Sequence, residues 1–222
     1  VYLIDGGGEL ALVDCGMGTE ASIEQVLSHV RNDGNDPASL AQLFLTHYHA
    51  DHCAGAARYR SQLGVEVLAS GETADSLEAA DHASTSFDAA RALGLYPGDA
   101  SFPPCPVDTR LEDGDQVRVG RLTVRFVSTP GHCAGHGSYL ITGGERTYLL
   151  AGDALFAGGR LLLQGTHDCD LQRSLTSVRT LAALDFDSLL PGHGPLALTG
   201  GREHALAALA TIDALGIPAG LI

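Results

Sequence analysis

At 222 residues the chain is long enough to bury a substantial core, as one large domain or two small ones. Hydrophobic residues make up 45% and glycines number 28, the balance of a globular α/β protein with many tight turns. Acidic residues (27) outnumber basic ones (13) for a formal charge of −14, which argues against nucleic acid and against an anionic membrane surface as partners.

No run reaches transmembrane length and no secretory leader is visible. The chain opens at Val1 inside a predicted strand without an initiator Met, so that second observation carries little weight. Cysteines stand at 15, 53, 105, 133 and 169, an odd number without CxxC spacing. They suggest neither a disulfide framework nor a structural zinc ribbon, and a reduced, cytoplasmic setting is the simpler expectation.

In chain order, residues 1–4 and 10–13 read as a hairpin closed by "DGGG", where Gly is cheap at positive φ. This loop lacks the Lys-Ser/Thr ending of a phosphate-binding loop. A helix is expected over residues 20–31. The apolar run Leu43 to Leu45 reads as a buried strand, followed by "THYHADHCAG" and a small-residue helix running to about Leu63. The strand "VEVLA" and a helical stretch over 72–95 come next, with Leu77, Ala80, Ala92 and Leu93 apolar. "YPGDASFPPCPVD" then breaks regular structure with its prolines and reads as a linker between halves or a loop beside the site. The second half starts with two short strands around Val119-Gly120, then "SYLIT" and "TYLLA" joined by "GGER". A helix near 171–184, the strand "SLLP" and a last helix from Arg202 to about Leu215 complete it. Strands and helices thus recur in two blocks, about 1–105 and 106–222, read as halves of a single domain.

The chemistry is concentrated at strand ends. His47 and His49 alternate by two, so in extended backbone they share a face and can chelate one ion. Asp51 and His52 fall where the chain turns into the helix and can serve a second ion, although Asp51 also suits a helix N-cap. Imidazole and carboxylate suit zinc, iron or manganese without thiolate. Two ions need roughly seven protein ligands, and three further segments repeat the same plan of apolar strand, ligand and Gly or Pro turn. "STPGHCAGHG" carries His132, "LLAGDALF" carries Asp153, whose two oxygens can bridge two ions, and "LLPGHG" carries His193. Each alone is a weak signal; four in this order are strong.

These motifs resemble those of the metallo-β-lactamase superfamily, and within it the glyoxalase II-like (hydroxyacylglutathione hydrolase-like) enzymes. "THYHADH" is similar to the HxHxDH motif, "TPGHCAGHGSY" to the TPGH segment, "GDALFAGG" to the GD(T/A)LF segment and "PGHG" to the last histidine turn. "ALVDCG" resembles an early strand ending in aspartate, here Asp14. The resemblance runs from about residue 2 to 194. It implies an α/β fold, the αβ/βα four-layer sandwich of two mixed β-sheets flanked by helices, with metals at one edge.

It also implies that His47, His49 and His132 hold a first metal, that Asp51, His52 and His193 hold a second, and that Asp153 bridges them. Asp14 would fix a ligand's orientation by hydrogen bonding, unless it is a plain strand-end turn residue. His136 is expected beside the metals without coordinating. The implied cofactors are two divalent ions, zinc first, with iron or manganese as alternatives. Water on zinc falls to a pKa near ~7, making hydroxide available to attack a carbonyl, and Asp51 is suited to orient it or to pass a proton to the leaving group. His29, His82, His167 and His204 fall outside every motif. Asp170 reads as the cap of the following helix, and Cys53 and Cys133 as small apolar residues.

The expected activity is hydrolysis of an ester, thioester or lactone, with phosphoester behind, on a small-molecule substrate. Glutathione thioester fits poorly, because only one helix follows His193 and the tail "TIDALGIPAGLI" has no Lys or Arg. The bridging Gly-Asp argues against β-lactam hydrolysis as the main activity, and Cys133 stands where the family commonly has Thr. Residues 71–105, with Tyr96 and Phe102, are expected to cover the site. Two other readings stay open: a persulfide dioxygenase-like enzyme with one iron on two loop histidines, His132 and Asp153, and a non-catalytic metal-binding protein.

Overall fold

The computed structural model describes residues 1–83 and 85–221. Two compact units divide the chain, Val1–Leu111 and Glu112–Ile222, each with its own five-stranded sheet. No helix among the described residues is long and apolar enough to cross a membrane.

In the first unit, β1 (Tyr2–Asp5) and β2 (Leu10–Val13) form the expected antiparallel hairpin. Its glycine turn is closed by Gly6 N–H donating to Glu9 O at 2.9 Å. Helix α1 (Glu20–Asn32) starts at Thr19, whose hydroxyl accepts from the Ser22 amide. Its Ile23, Leu27 and Val30 recur at helical spacing and are buried in one core with Leu10, Leu12 and Leu43. Each such side chain contributes roughly 1.5–3 kcal/mol on burial. Strand β3 (Leu40–Phe44) pairs parallel with β2, Val13 opposite Phe44, so both strands end at the same edge. Helices α2 (Ala50–Cys53) and α3 (Ala56–Leu63) follow, then β4 (Glu66–Ser70) and α4 (Gly71–Ala79).

Three details differ from the sequence-based expectation. Asp51 lies inside the first turn of α2 and His49 takes the cap position, so the N-cap reading of Asp51 is excluded. The helix expected over 72–95 is two helices, because Ala80 turns left-handed (φ 46°) and Asp81 N–H donates to Ser76 O. The second piece, α5 (Phe87–Ala92), buries Phe87 but leaves Leu93 76% exposed, so Leu93 is not on an inward face. The proline-rich stretch is no linker: Ala100, Phe102 and Cys105 are buried in the first unit's core. β5 (Thr109–Leu111) pairs with β4 and closes the first unit at Leu111.

In the second unit, β6 (Gln116–Val119), β7 (Leu122–Ser128), β8 (Gly137–Thr142) and β9 (Tyr148–Gly152) are consecutive antiparallel neighbours. Helix α6 (Leu171–Ala182) is capped by Asp170, which accepts from the Arg173 amide at 3.0 Å as expected. β10 (Ser188–Pro191) adds parallel to β9, and α7 (Gly201–Asp213) packs on α6. The core joins Val127, Leu149, Leu155, Leu161, Val178, Leu181 and Leu189. Because β7, β9 and β10 run the same way, their C-terminal ends share one edge.

One close approach fixes the turn after β2. A Cβ on Gly18 would stand 2.5 Å from Gly55 Cα, and Gly18 has φ +66°. Gly55 N–H donates to Gly16 O at 3.1 Å across the same contact. Gly18→Ala should therefore cost about 2–5 kcal/mol, steric overlap added to left-handed strain. Gly34→Ala, with φ +84° and open space around it, should cost only the strain, about 1–2 kcal/mol. Urea denaturation of both variants distinguishes the two terms; equal losses would remove the contact from the account.

Candidate metal centre

The first unit gathers Asp14, Thr46, His47, His49, Asp51 and His52 at the shared end of β2 and β3. Asp14 follows β2 in a left-handed conformation (φ 60°) that Asp tolerates better than most residues. Its amide donates to Phe44 O at 2.8 Å. Its carboxylate is buried and accepts from the Thr46 amide (2.8 Å), from the Thr46 hydroxyl (3.0 and 2.9 Å to the two oxygens) and from His52 Nδ1 (2.8 Å).

Those bonds set the histidine tautomers. Since Asp14 is an acceptor, His52 Nδ1 carries the proton and Nε2 carries the lone pair. The single Thr46 hydroxyl proton goes to Asp14, so at 2.9 Å the Thr46 oxygen accepts from His47 Nδ1. His47 Nε2 thus presents its lone pair, 3.1 Å from His49 Nδ1. His52 Nε2 lies 3.6 Å from Asp51 Oδ2. The other Asp51 oxygen, Oδ1, accepts from the Tyr96 hydroxyl at 3.1 Å. His47, His49 and His52 are buried, while Asp51 is partly exposed.

The second unit gathers His132, His136, Asp153 and His193 at the shared end of β7, β9 and β10. Gly131 precedes His132 at φ +139°, and a Cβ there would stand 2.3 Å from the Ser174 amide nitrogen of α6, so the turn can approach the helix only as glycine. His132 Nδ1 donates to Leu162 O at 3.2 Å, leaving the lone pair on Nε2, 3.6 Å from Asp153 Oδ2. His193 Nε2 lies 3.4 Å from the same oxygen and is 44% exposed in its side chain. His136 is different. Its Nε2 accepts from the Asp153 amide at 2.9 Å, so its Nδ1 carries the proton and donates to the Thr129 hydroxyl. Thr129 passes its own proton to Ser138 Oγ (2.9 Å), which donates to Ala151 O (3.3 Å). Both nitrogens of His136 are thereby engaged in holding the Asp153 backbone.

The donor set of each unit suits a transition metal. Two ligand atoms about 2.0–2.2 Å from a tetrahedral ion sit roughly 3.3–3.5 Å apart. The ligand-type separations of 3.1, 3.6, 3.6 and 3.4 Å bracket that spacing. The Nδ1 contacts behind His47, His52 and His132 are the outer hydrogen bonds that orient metal-binding imidazoles.

Residues outside the motifs serve the framework. His82 lies 3.2 Å from Phe102 O through Nε2, His204 Nδ1 accepts from the Gly158 amide, and His29 and His167 are exposed. Cys53 and Cys133 are buried and in no disulfide. Burial, with the Asp14 charge adding to it, pushes the Cys15 thiol well above its ordinary range. Sequence reasoning missed Thr46, Thr129 and Ser138. All three adjoin motif residues, but a hydroxyl beside a histidine has no periodicity to mark it.

The chain belongs to the metallo-beta-lactamase superfamily, whose family model matches residues 1–193. It is 32% identical to a hydroxyacylglutathione hydrolase of Rhodopseudomonas palustris over 64% of this chain and 44% of that protein. It is 30% identical to a probable metallo-hydrolase of Burkholderia pseudomallei over 81% of this chain and 64% of that protein. The chain thus spans less than half the length of the first of these relatives. Among solved structures, a subclass B3 metallo-beta-lactamase of Bradyrhizobium japonicum superposes with a TM-score of 0.74, over 96% of this chain and 84% of that one at 22% identity. The two mixed sheets flanked by helices are the expected fold class.

His132 and His136 are separable by experiment. His132→Ala should deplete bound metal. His136→Ala should leave the metal content unchanged but lower the stability of chelator-stripped protein by about 1–3 kcal/mol, because the buried Asp153 amide loses its acceptor. Metal analysis and urea denaturation of both variants check this, and metal loss in the His136 variant alone would reverse the roles.

Proposed function

We propose that the two units act as one domain with a single dinuclear centre, and that the protein is a metal-dependent hydrolase of an ester, thioester or lactone. His47, His49 and His132 would hold one ion, Asp51, His52 and His193 the other, and Asp153 would bridge both. The observation that carries this reading is the paired pattern in the two units. Each brings imidazole and carboxylate donors to ligand spacing, and His47, His52 and His132 each have Nδ1 committed elsewhere. Two divalent ions, zinc first with iron or manganese as alternatives, would supply a water ionising near ~7 and a Lewis acid for the substrate oxygen.

The protein's own part is positioning and proton transfer. Asp14 and Thr46 fix the ring planes of His47 and His52. The His136 chain fixes the Asp153 backbone. Asp51, a partly exposed carboxylate, would orient the attacking water and pass its proton to the leaving group. The kinship with hydroxyacylglutathione hydrolases supports a thioester or a related acyl substrate. A small-molecule substrate, no nucleic-acid or membrane partner and a cytoplasmic setting belong to the same proposal; five cysteines outside any disulfide and the acidic charge support them.

Metal analysis of untreated protein should find close to two ions per chain. Asp153→Asn keeps the shape and loses the charge, so the two ions should no longer be retained together. Turnover on a panel of ester, thioester and lactone substrates should then fall by roughly 100-fold or more. Two tightly held ions with near-normal turnover in that variant would overturn the bridging role. A single iron with oxygen uptake on a persulfide would replace the hydrolase reading by an oxidoreductase.

A further inference from the structure

Tyr96 lies far from every metal motif in sequence, yet its hydroxyl donates to Asp51 Oδ1 at 3.1 Å, across 45 residues. We propose that Tyr96 is a positioning residue for Asp51, fixing which carboxylate oxygen faces the second ion. This rests on the dinuclear reading above and adds to it a residue that the strand-end motifs do not contain.

Rotation about the Cβ–Cγ bond of Asp51 exchanges its two oxygens, and its carboxylate is partly exposed, so the backbone of the α2 turn does not by itself choose between them. With Oδ1 on the phenol, Oδ2 faces the His52 side at 3.6 Å from Nε2. The phenol is itself held. Its ring lies 5.8 Å from the fully buried Phe87, which stacks on Phe102 at the same distance. His82 contacts both Phe87 (ring centroids 4.8 Å) and the Phe102 carbonyl. The segment between α4 and β5 is therefore pinned through an aromatic cluster, and Tyr96 is the residue by which that cluster reaches the HxHxDH loop.

The chemical consequence is specific to one ion. A carboxylate with one oxygen committed to a donor offers the other as a monodentate ligand of fixed direction, and loss of such an outer partner loosens metal by about 10–100-fold. Tyr96→Phe removes the hydroxyl and keeps the ring against Phe87. Chelator-stripped wild type and variant are titrated with zinc against a chromophoric chelator, and with cobalt(II) read by its visible spectrum. The first ion should bind both proteins alike. The second should bind the variant about 10–100-fold more weakly, with an altered cobalt spectrum for the second equivalent and kcat falling while KM holds. The melting midpoint of the metal-free variant should stay within about 2 °C of wild type.

Wild type holding two ions, with a variant that binds the second equally well, would overturn the role of Tyr96 alone. So would a lowered melting midpoint with unchanged second-ion affinity, which marks a purely structural hydroxyl. Wild type that takes up only one ion overturns the dinuclear reading, and this inference with it.

Discussion

A buried carboxylate cannot be left unpaired, and Asp14 shows how much of a site one such group can order. Isolated in the interior, its charge would cost several kcal/mol or would be neutralised by protonation. Here it accepts from an amide, a hydroxyl and an imidazole at 2.8–3.0 Å. Satisfying it requires the end of β2 to meet the loop after β3, which the parallel register of Val13 with Phe44 provides. It also requires that His52 and Thr46 point their donors inward. The tautomers of His52 and, through Thr46, of His47 follow from that requirement.

The second unit reaches a comparable result with a neutral chain. His136, Thr129 and Ser138 form a directional series in which each gives one proton and accepts one, with the Ala151 carbonyl as the last acceptor. Its first donor is the Asp153 amide. A carboxylate in such a site can be placed through its side chain or through its backbone; here the backbone is held, so the side chain is set by the position of the β9 end. His136 is more than a bystander to the candidate ligands, because the Asp153 turn depends on it. The aromatic segment around Phe87 and Phe102 adds a third support, reaching Asp51 through Tyr96.

Much of the fold and of the candidate site was legible in the chain itself. Hairpin glycines, the helical spacing of Ile23, Leu27 and Val30, and the Asp170 cap are local signals, and each element formed where they placed it. Stretches governed by distant packing misled. Residues 72–95 carry helical apolar spacing, yet the helix ends at a left-handed Ala80, Phe87 packs against Phe102 and Leu93 stays outside. The prolines of 97–106 suggested a linker, yet Phe102 and Cys105 are core residues.

The sequence by itself determined the class of chemistry, because imidazole and carboxylate at alternating or turn positions after apolar strands depend only on residue type and short-range spacing. Only the tertiary structure decided which nitrogen of each histidine carries the lone pair and which carboxylates are held from behind. Those choices are made by partners far away in the chain: Asp14 and His52 are 38 residues apart, Tyr96 and Asp51 45, His136 and Asp153 17. A hydrogen bond leaves no periodic trace at such separations. It exists only once the strands have brought donor and acceptor to one edge, where burial makes an unpaired group too costly to keep.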